Sequence, residues 1–432
     1  GAHTNGSFNL NAIYALNILL GSVGVDGGLR YNPDSPIKTL PSTATGASFE
    51  QWEKELSDWR AGNIDTLILR RANLVHGLPR SVNAPEALLK VPHVAIFADV
   101  LDETAQYADL ILPETSSLEG WGLDIPEPAP GYQAIGVQQP VVSPARSRDG
   151  SSLLSDAREF GDVLISISEG KFQEDSMSSL VEKGLMSLYD QDRSSSSIKA
   201  PTSDLFLRGT LQRGGWWDTK SVVNSIPEHP PSPVEGYTDP EFSNAGSGND
   251  EEFYLIPFAS QALGDGRIAA APWAQATPDP ITSATWTTWV EINNRTAERL
   301  GIREGDRLII KSTTGEIEVL AYPHRAVPPD VLGVPIGQGH EGFGRYAVDR
   351  GSNVLSILVD KKDEMTGALA WAATRVNLFK TGERHKIPKF EGSVEAVAVR
   401  PGFPILVGRP GESADHAIHD LEEKHRFIGG EH

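Results

Sequence analysis

The feature that most limits what this chain can become is a succession of short apolar runs, each halted by turn-forming or acidic residues. Ile64–Leu69, Val91–Val100 and Asp109–Leu112 read as strands. The stretch ADVLDETAQYADLILPETSSLEGWG, residues 98–122, carries the last junction. There Phe97, Ala98 and Val100 precede Asp102–Glu103, and Thr104, Ala105 and Ala108 follow with helix-compatible composition, before Pro113 ends the third run. Strands joined by one or two helical turns predict an α/β layer, whose strand ends are common ligand sites. A capped helix with a solvated acidic face would use the same residues, so this stretch alone leaves both readings open.

Elsewhere the pattern separates into an early and a late part. Residues 8–20, FNLNAIYALNILL, place Ile13, Leu16 and Leu20 at helical spacing, and the apolar run Ala12–Leu20 reads as a buried helix. Four glycines in GSVGVDGG, residues 21–28, end it. Alternating strands and helices continue to about residue 170, where Val163–Ile167 and Glu169–Lys171 close this part. Residues 191–203 and 226–251 are rich in Ser, Pro and Gly and read as exposed loops. From Glu252 the pattern tightens. Phe253–Phe258, Val290–Ile292, Arg307–Lys311 and Glu316–Tyr322 read as strands, Asn294–Leu300 as a short helix, and Thr313–Gly315 as a turn. Tight glycine turns and an early helix favour a barrel over a sandwich.

Composition narrows the function. A chain of 432 residues exceeds one ordinary hydrophobic core, so two or three domains are expected. The net charge of −20, from 38 basic and 58 acidic side chains, argues against binding a nucleic-acid backbone. No run approaches the roughly 18 apolar residues that a membrane-crossing helix needs. The absence of cysteine removes disulfides, thiolate-held iron–sulfur clusters and a Cys nucleophile from this sequence. Gly1 opens the sequence without an initiator Met, in residues that already resemble a domain interior, so the expectation is a processed, split or truncated polypeptide.

Among the motifs, Gly337–Gly342 (GQGHEG) follows the strand-like Val331–Ile336 and matches G-x-G-x-x-G. Asp360 stands near the place of the acid in the dinucleotide fingerprint, but Phe343–Tyr346 is a poor helix start, and a β-rich setting disfavours a Rossmann unit. Two readings remain: a tight structural loop, or a glycine loop turning backbone N–H groups toward an anion, with His340 as donor and Arg345 and Tyr346 close by. His416 and His419, beside Asp415 and Asp420, read as a solvated helix face with no third ligand identifiable. Glu114 and Glu119 form a carboxylate pair of unknown separation. Neither a G-x-S-x-G elbow nor a G-x-x-x-x-G-K phosphate loop occurs.

Several segments in order resemble one family. HTNG, the helix through ALNILLG, the GSVGVDGG turn, IDTLILRRANLVHGLP and residues 98–122 resemble the middle of molybdopterin-guanine-dinucleotide oxidoreductases of the DMSO-reductase superfamily. WVEINNRTAERLGIREGDRLIIKSTTGEIEVLAY and GALAWAATRVNLFKTG resemble its closing β domain. Residues 254–292 and PIGQGHEGFGRYAVDRGSNVLSIL look like a narrower branch, the large subunits of polysulfide-reductase-like complexes, alternative complex III and the related menaquinone reductase.

The fold implied is a partial layered α/β domain over 1–180, a loop-rich connection over 181–284, a double-psi-type β-barrel over 285–400 and a tail over 401–432. By position in the family, Thr104 and Glu119 would face one nucleotide end. Gly337, Gly339, His340, Arg345, Tyr346 and Asn353 would approach the pterin. The sequence corresponds to about the C-terminal half of such a subunit, with the family's cluster domain and molybdenum-ligand segment upstream of Gly1, and no metal ligand or catalytic residue is assigned within it. The resemblance therefore implies a cofactor-free, non-catalytic structural part of a quinol-oxidising respiratory complex, oxidising menaquinol. Its partners would be a complementary N-terminal half, a ferredoxin-like iron–sulfur subunit, a multihaem cytochrome and membrane quinol-binding subunits, at the periplasmic face of the cytoplasmic membrane. The alternative is half of a catalytic molybdenum bis-pterin reductase, such as a polysulfide reductase, holding molybdopterin guanine dinucleotide.

Overall fold

Parallel strand pairing organises the first part of the chain. The structure, a computed structural model, describes residues 2–37, 46–127, 130–143, 156–191, 195–220, 237–246 and 251–390. Helix α1 (Gly6–Leu19) precedes α2 (Phe49–Arg60). Ser48 caps α2: its Oγ accepts the Gln51 N–H at 3.2 Å, and Gln51 Oε1 accepts the Ser48 N–H at 2.7 Å. One face of α2 buries Phe49, Leu56 and Trp59. That face packs on β1 (Thr66–Arg70), α3 (Leu74–Gly77), α4 (Ala84–Leu88) and β2 (His93–Ala98) through Leu69, Leu88, Val94 and Ile96. With β3 (Leu110–Pro113) the strands run parallel in the order β1-β2-β3, Leu69 opposite Ile96 and Phe97 opposite Leu112. Parallel strands end on one side, so the loops that begin at Arg71, Asp99 and Glu114 share an edge.

A second, antiparallel sheet joins β4 (Gly122–Asp124), β5 (Ala134–Gln138) and β6 (Gly215–Trp217). In sequence it encloses α5 (Phe160–Ile167), α6 (Met177–Tyr189) and α7 (Ser203–Arg213). Ile135 and Trp216 of the sheet pack with Val181, Leu185 and Phe206 of the helices.

The remaining strands are β7 (Glu252–Ala259), β8 (Trp289–Asn293), β9 (Asp306–Lys311), β10 (Glu316–His324), β11 (Val331–Ile336) and β12 (Arg375–Arg384), with α8 (Pro272–Ala276), α9 (Asn294–Leu300) and α10 (Gly344–Ala347) between them. They pair in the order β10-β8-β11-β7-β12-β9, and β9 also pairs with β10 around the Thr313–Gly315 turn. Pairs β10/β8 and β11/β7 are parallel and the others antiparallel. Alternation puts Leu308, Ile310, Ile317, Val319 and Ala321 into one core with Leu255, Ile292 and Val334. Helix α9 is bounded by Asn293, whose Oδ1 accepts the Arg295 N–H at 2.9 Å, and by Gly301 at φ +62°.

These sheets correct the expected fold class. The expected make-up, a partial layered α/β domain followed by a double-psi-type β-barrel, is corrected to a mixed α/β fold of three sheets. An antiparallel sheet with its own helices lies in sequence between the other two, and the six-stranded sheet mixes parallel and antiparallel neighbours, with two residue pairs joining β8 to β11. Period-two alternation reports which side chains of a strand face inward. It does not report which strand lies alongside, which is why the arrangement was misread.

The reading of Ala12–Leu20 as a buried helix is corrected as well. Helix α1 forms, but Leu16 is 55 % and Leu19 83 % exposed, because within the chain no described element covers that face. The tail, including His416 and His419, lies outside the described residues.

Candidate cofactor-binding site

The loops at the shared strand edge meet the loop that follows β11. After β1, Asn73 caps α3, its Oδ1 accepting the His76 N–H at 3.3 Å and the Thr104 hydroxyl at 3.1 Å. Thr104 is fully buried and in turn accepts the Val75 N–H at 3.1 Å. After β2, Glu103 stands just before the short helical turn Thr104–Tyr107. After β11, Gly337 (φ +105°) and Gly339 (φ +82°) bend the chain so that His340 turns back toward the parallel sheet. At Gly339 a Cβ would lie 2.0 Å from the Asn353 backbone nitrogen, so only glycine fits there.

Glu103 is the hub. Its Oε2 accepts the Asn73 side-chain amide at 2.6 Å, and its Oε1 accepts the backbone N–H groups of Glu341 and Gly342 at 2.7 and 3.0 Å. His340 Nδ1 lies 3.1 Å from Oε1 and 3.3 Å from Oε2. Burial pushes the Glu103 carboxyl up, but hydrogen bonds from His340, Asn73 and the Gly342 N–H outweigh it and hold the group well below the usual carboxylate range. An ionised carboxylate only accepts, so His340 Nδ1 carries a hydrogen.

His76 stacks on His340, with ring centroids 3.7 Å apart and planes 13° from parallel. Its Nδ1 lies 3.3 Å from the Asn353 amide nitrogen, which also donates to the His76 carbonyl at 2.7 Å. Burial, reinforced by His340, pushes the His76 imidazole down to about 4 against the opposing pull of Glu103 and Asp265. The Nε2 atoms of His76 and His340 are both buried without a hydrogen-bond partner. Asp102, also buried, is pushed up by desolvation although the Ala105 N–H donates to it at 2.9 Å.

A cavity of about 240 Å³ opens against this network, lined by His76, Arg80, Glu103, Tyr107, Gly339 and Asn353 among others. The structure thus brings Thr104, Gly339, His340 and Asn353 of the sequence-predicted set together. The others lie differently. Glu119 closes a capping box with Ser116, accepting its N–H at 2.9 Å. Gly337 packs near Leu263 and Gly266, and the Arg345 guanidinium lies 4.8 Å from the Tyr346 ring on the four-residue helix α10. So short a helix, after a strand of a mixed sheet, also bears out the exclusion of a Rossmann unit. Glu114 pairs with Arg70 and Arg71.

Asn73, His76 and Glu103 were not singled out as site residues. Their signal was present, in RRANLVHGLP and in residues 98–122, but three polar residues on two separate loops carry no motif until the fold joins them. His76, Glu103 and His340 present potential metal-ligating atoms that all lie within 4.8 Å of one another, and all three are buried. Glu103 already accepts from four donors, so an ion held by this set would have to displace at least one of them from the carboxylate.

Residues 273–374 match the family described as "Molydopterin dinucleotide binding domain". Over 372 residues the chain is 26 % identical to the menaquinone reductase, molybdopterin-binding-like subunit of Nitratidesulfovibrio vulgaris, covering 85 % of this chain and 50 % of that protein. It is 33 % identical over 129 residues to the arsenate respiratory reductase molybdopterin-containing subunit ArrA of Chrysiogenes arsenatis, covering 27 % of this chain and 15 % of that one. A solved structure, acetylene hydratase from Pelobacter acetylenicus, aligns with a TM-score of 0.46 at 16 % identity, over 76 % of this chain and 46 % of that one. Residues 273–374 thus resemble a molybdopterin dinucleotide binding domain, and the chain spans about half the length, or less, of the curated relatives it matches.

These findings overturn the expectation that the chain is a non-catalytic part. A buried His–Glu–His set of the kind that ligates metals or moves protons lies beside the cavity, and the similar ArrA of Chrysiogenes arsenatis is a molybdopterin-containing reductase subunit.

Proposed function

We propose that this chain forms the dinucleotide-binding portion of a catalytic molybdopterin oxidoreductase of respiratory electron transfer, a bis-pterin reductase of the polysulfide-reductase kind. The observation that carries the reading is the cavity between the parallel-sheet loops and the GQGHEG loop, in the chain whose residues 273–374 match a molybdopterin dinucleotide binding domain. The residues fit one end of such a group. At about 240 Å³ the space is smaller than the roughly 300–1,000 Å³ of pockets that enclose whole drug-sized ligands. Its wall offers Gly339 for close approach, the Asn353 amide and the Arg80 guanidinium. When bound, a molybdenum–pterin group supplies two-electron redox chemistry. The chain's own residues do the rest: Asn353 and His76 orient the heterocycle, Arg80 attracts its phosphate, and His340 holds a proton at Nδ1 beside it.

A partner polypeptide completes the structure in this reading. Parallel sheets are ordinarily covered on both faces, yet Ile68, Leu110 and Ile111 are exposed, as is the apolar face of α1. Among the described residues no helix is long and apolar enough to cross a membrane.

Similarity across 85 % of the chain to a subunit named for menaquinone reductase favours a second reading, a quinone-linked assembly. In it iron–sulfur, haem and membrane quinone-binding partners hold the chain at the periplasmic face of the membrane. Both readings are tested on the intact native complex by elemental analysis for molybdenum and tungsten, and by pterin fluorescence after oxidative release. Near-stoichiometric metal and pterin are expected. Absence of both from a preparation that still turns over quinone would refute the catalytic reading and leave the second.

A further inference from the structure

The loop after β11 offers hydrogen-bond donors that its own path does not use. The consecutive N–H groups of Glu341 and Gly342 point at one spot, 2.7 and 3.0 Å from Glu103 Oε1, and His340 Nδ1 adds a third donor at 3.1 Å. Asn73, from the loop after β1, supplies the fourth at 2.6 Å to Oε2. Converging backbone N–H groups backed by a buried imidazole make an anion-binding concavity. The anion filling it belongs to the chain itself, reaching across from the loop after β2. Glu103 also lines the cavity, so the filled nest forms part of the cavity wall.

The charges around it are uneven. The chain carries −20 overall, and Glu341 also lines the cavity. Arg80 on the same wall forms no ion pair among the described residues. A cation left unpaired in so acidic a chain, next to a donor nest, suits a ligand that carries a strong negative charge. Exchanging one anion for another leaves no donor unpaired, so the exchange avoids the cost of an unsatisfied buried N–H.

We propose that the nest formed by Asn73, His340 and the Glu341 and Gly342 N–H groups is a phosphate-class oxyanion site that Glu103 fills from within the chain, and that the phosphate of a ligand entering the cavity displaces Glu103 toward Arg80. This rests on reading the cavity as the seat of a phosphate-bearing cofactor. Glu103 then has a second role besides joining the two sheets: it competes with the ligand, so only a phosphate-bearing molecule gains full access to the donors.

Calorimetric titration of the purified full chain with inorganic pyrophosphate tests this. In Glu103→Ala the internal competitor is gone, and pyrophosphate is expected to bind at least tenfold more tightly than to the wild type. Adding Arg80→Ala should reverse most of that gain. Glu103→Gln removes the charge while keeping an oxygen for the two N–H groups, and an approximately threefold gain is expected there. Unchanged affinity in whichever variant retains the wild-type circular dichroism spectrum would overturn the proposal. A purely structural Glu103 would lower the thermal midpoint in both variants without any gain in pyrophosphate affinity, which also overturns it. Metal and pterin in the native complex without a pyrophosphate gain would refute the nest alone; a gain without metal and pterin would refute the cofactor reading alone.

Discussion

Replacing His76 by Phe keeps a flat ring against His340 but removes a titrating group from the joint between the two sheets. In the folded chain the imidazole is pushed from its ordinary value of 6.5 down to about 4, first by burial and then by His340. The difference is about 2.5 pH units, and at about 1.36 kcal/mol per unit it corresponds to about 3 kcal/mol. The sign follows from proton binding. Between pH 6.5 and about 4 the unfolded chain binds a proton at His76 that the folded chain does not, so stability falls as the pH falls through this window. Glu103 acts lower. Its depressed value contributes stability that is present above the unfolded carboxylate range and lost only as the pH falls through the still lower folded value. Urea unfolding of the wild type and His76→Phe, at steps from pH 7.5 to 4.5, separates the two. The wild type should lose about 2–3 kcal/mol more than the variant over that range. Parallel curves for the two proteins would refute the assignment of a buried, neutral His76.

Three other substitutions probe the same joint and its surroundings. Gly339→Ala places a Cβ 2.0 Å from the Asn353 nitrogen at a φ of +82°, and should cost at least about 2 kcal/mol in denaturant unfolding while deforming the cavity. Asn73→Ala removes a 2.6 Å hydrogen bond to the buried Glu103 and the cap of α3, so a loss of about 2–3 kcal/mol is expected in the same assay. Leu16→Glu with Leu19→Glu alters only the exposed face of α1. The stability of the chain alone should change by less than about 1 kcal/mol, while size-exclusion chromatography of the native complex should show the chain separated from its partners.

Much of the fold was legible because strands and turns leave local signatures. The runs at Ile64–Leu69, Val91–Val100, Asp109–Leu112 and Arg307–Lys311 all became strands, and Asn294–Leu300 became the short helix expected there. The failures share one cause. Ala12–Leu20 read as buried since apolar residues at helical spacing seek cover, but sequence does not say whether that cover belongs to the same chain. Strand pairing between β5 and β6 joins segments far apart in sequence, which no local pattern encodes.

The site divides along the same line. The sequence by itself determined the donors: the glycine loop that frees the Glu341 and Gly342 N–H groups, the imidazole of His340, the side chain of Asn353 and the buried Thr104 turn. Only the tertiary structure decided what those donors hold. Parallel pairing of β1 and β2 sets Asn73 and Glu103 on one edge, and the return of the chain after β11 carries His340 against them, 237 residues from Glu103. A carboxylate becomes a hub through its distance to donors and its isolation from water, and both are properties of packing that no single segment of the chain contains.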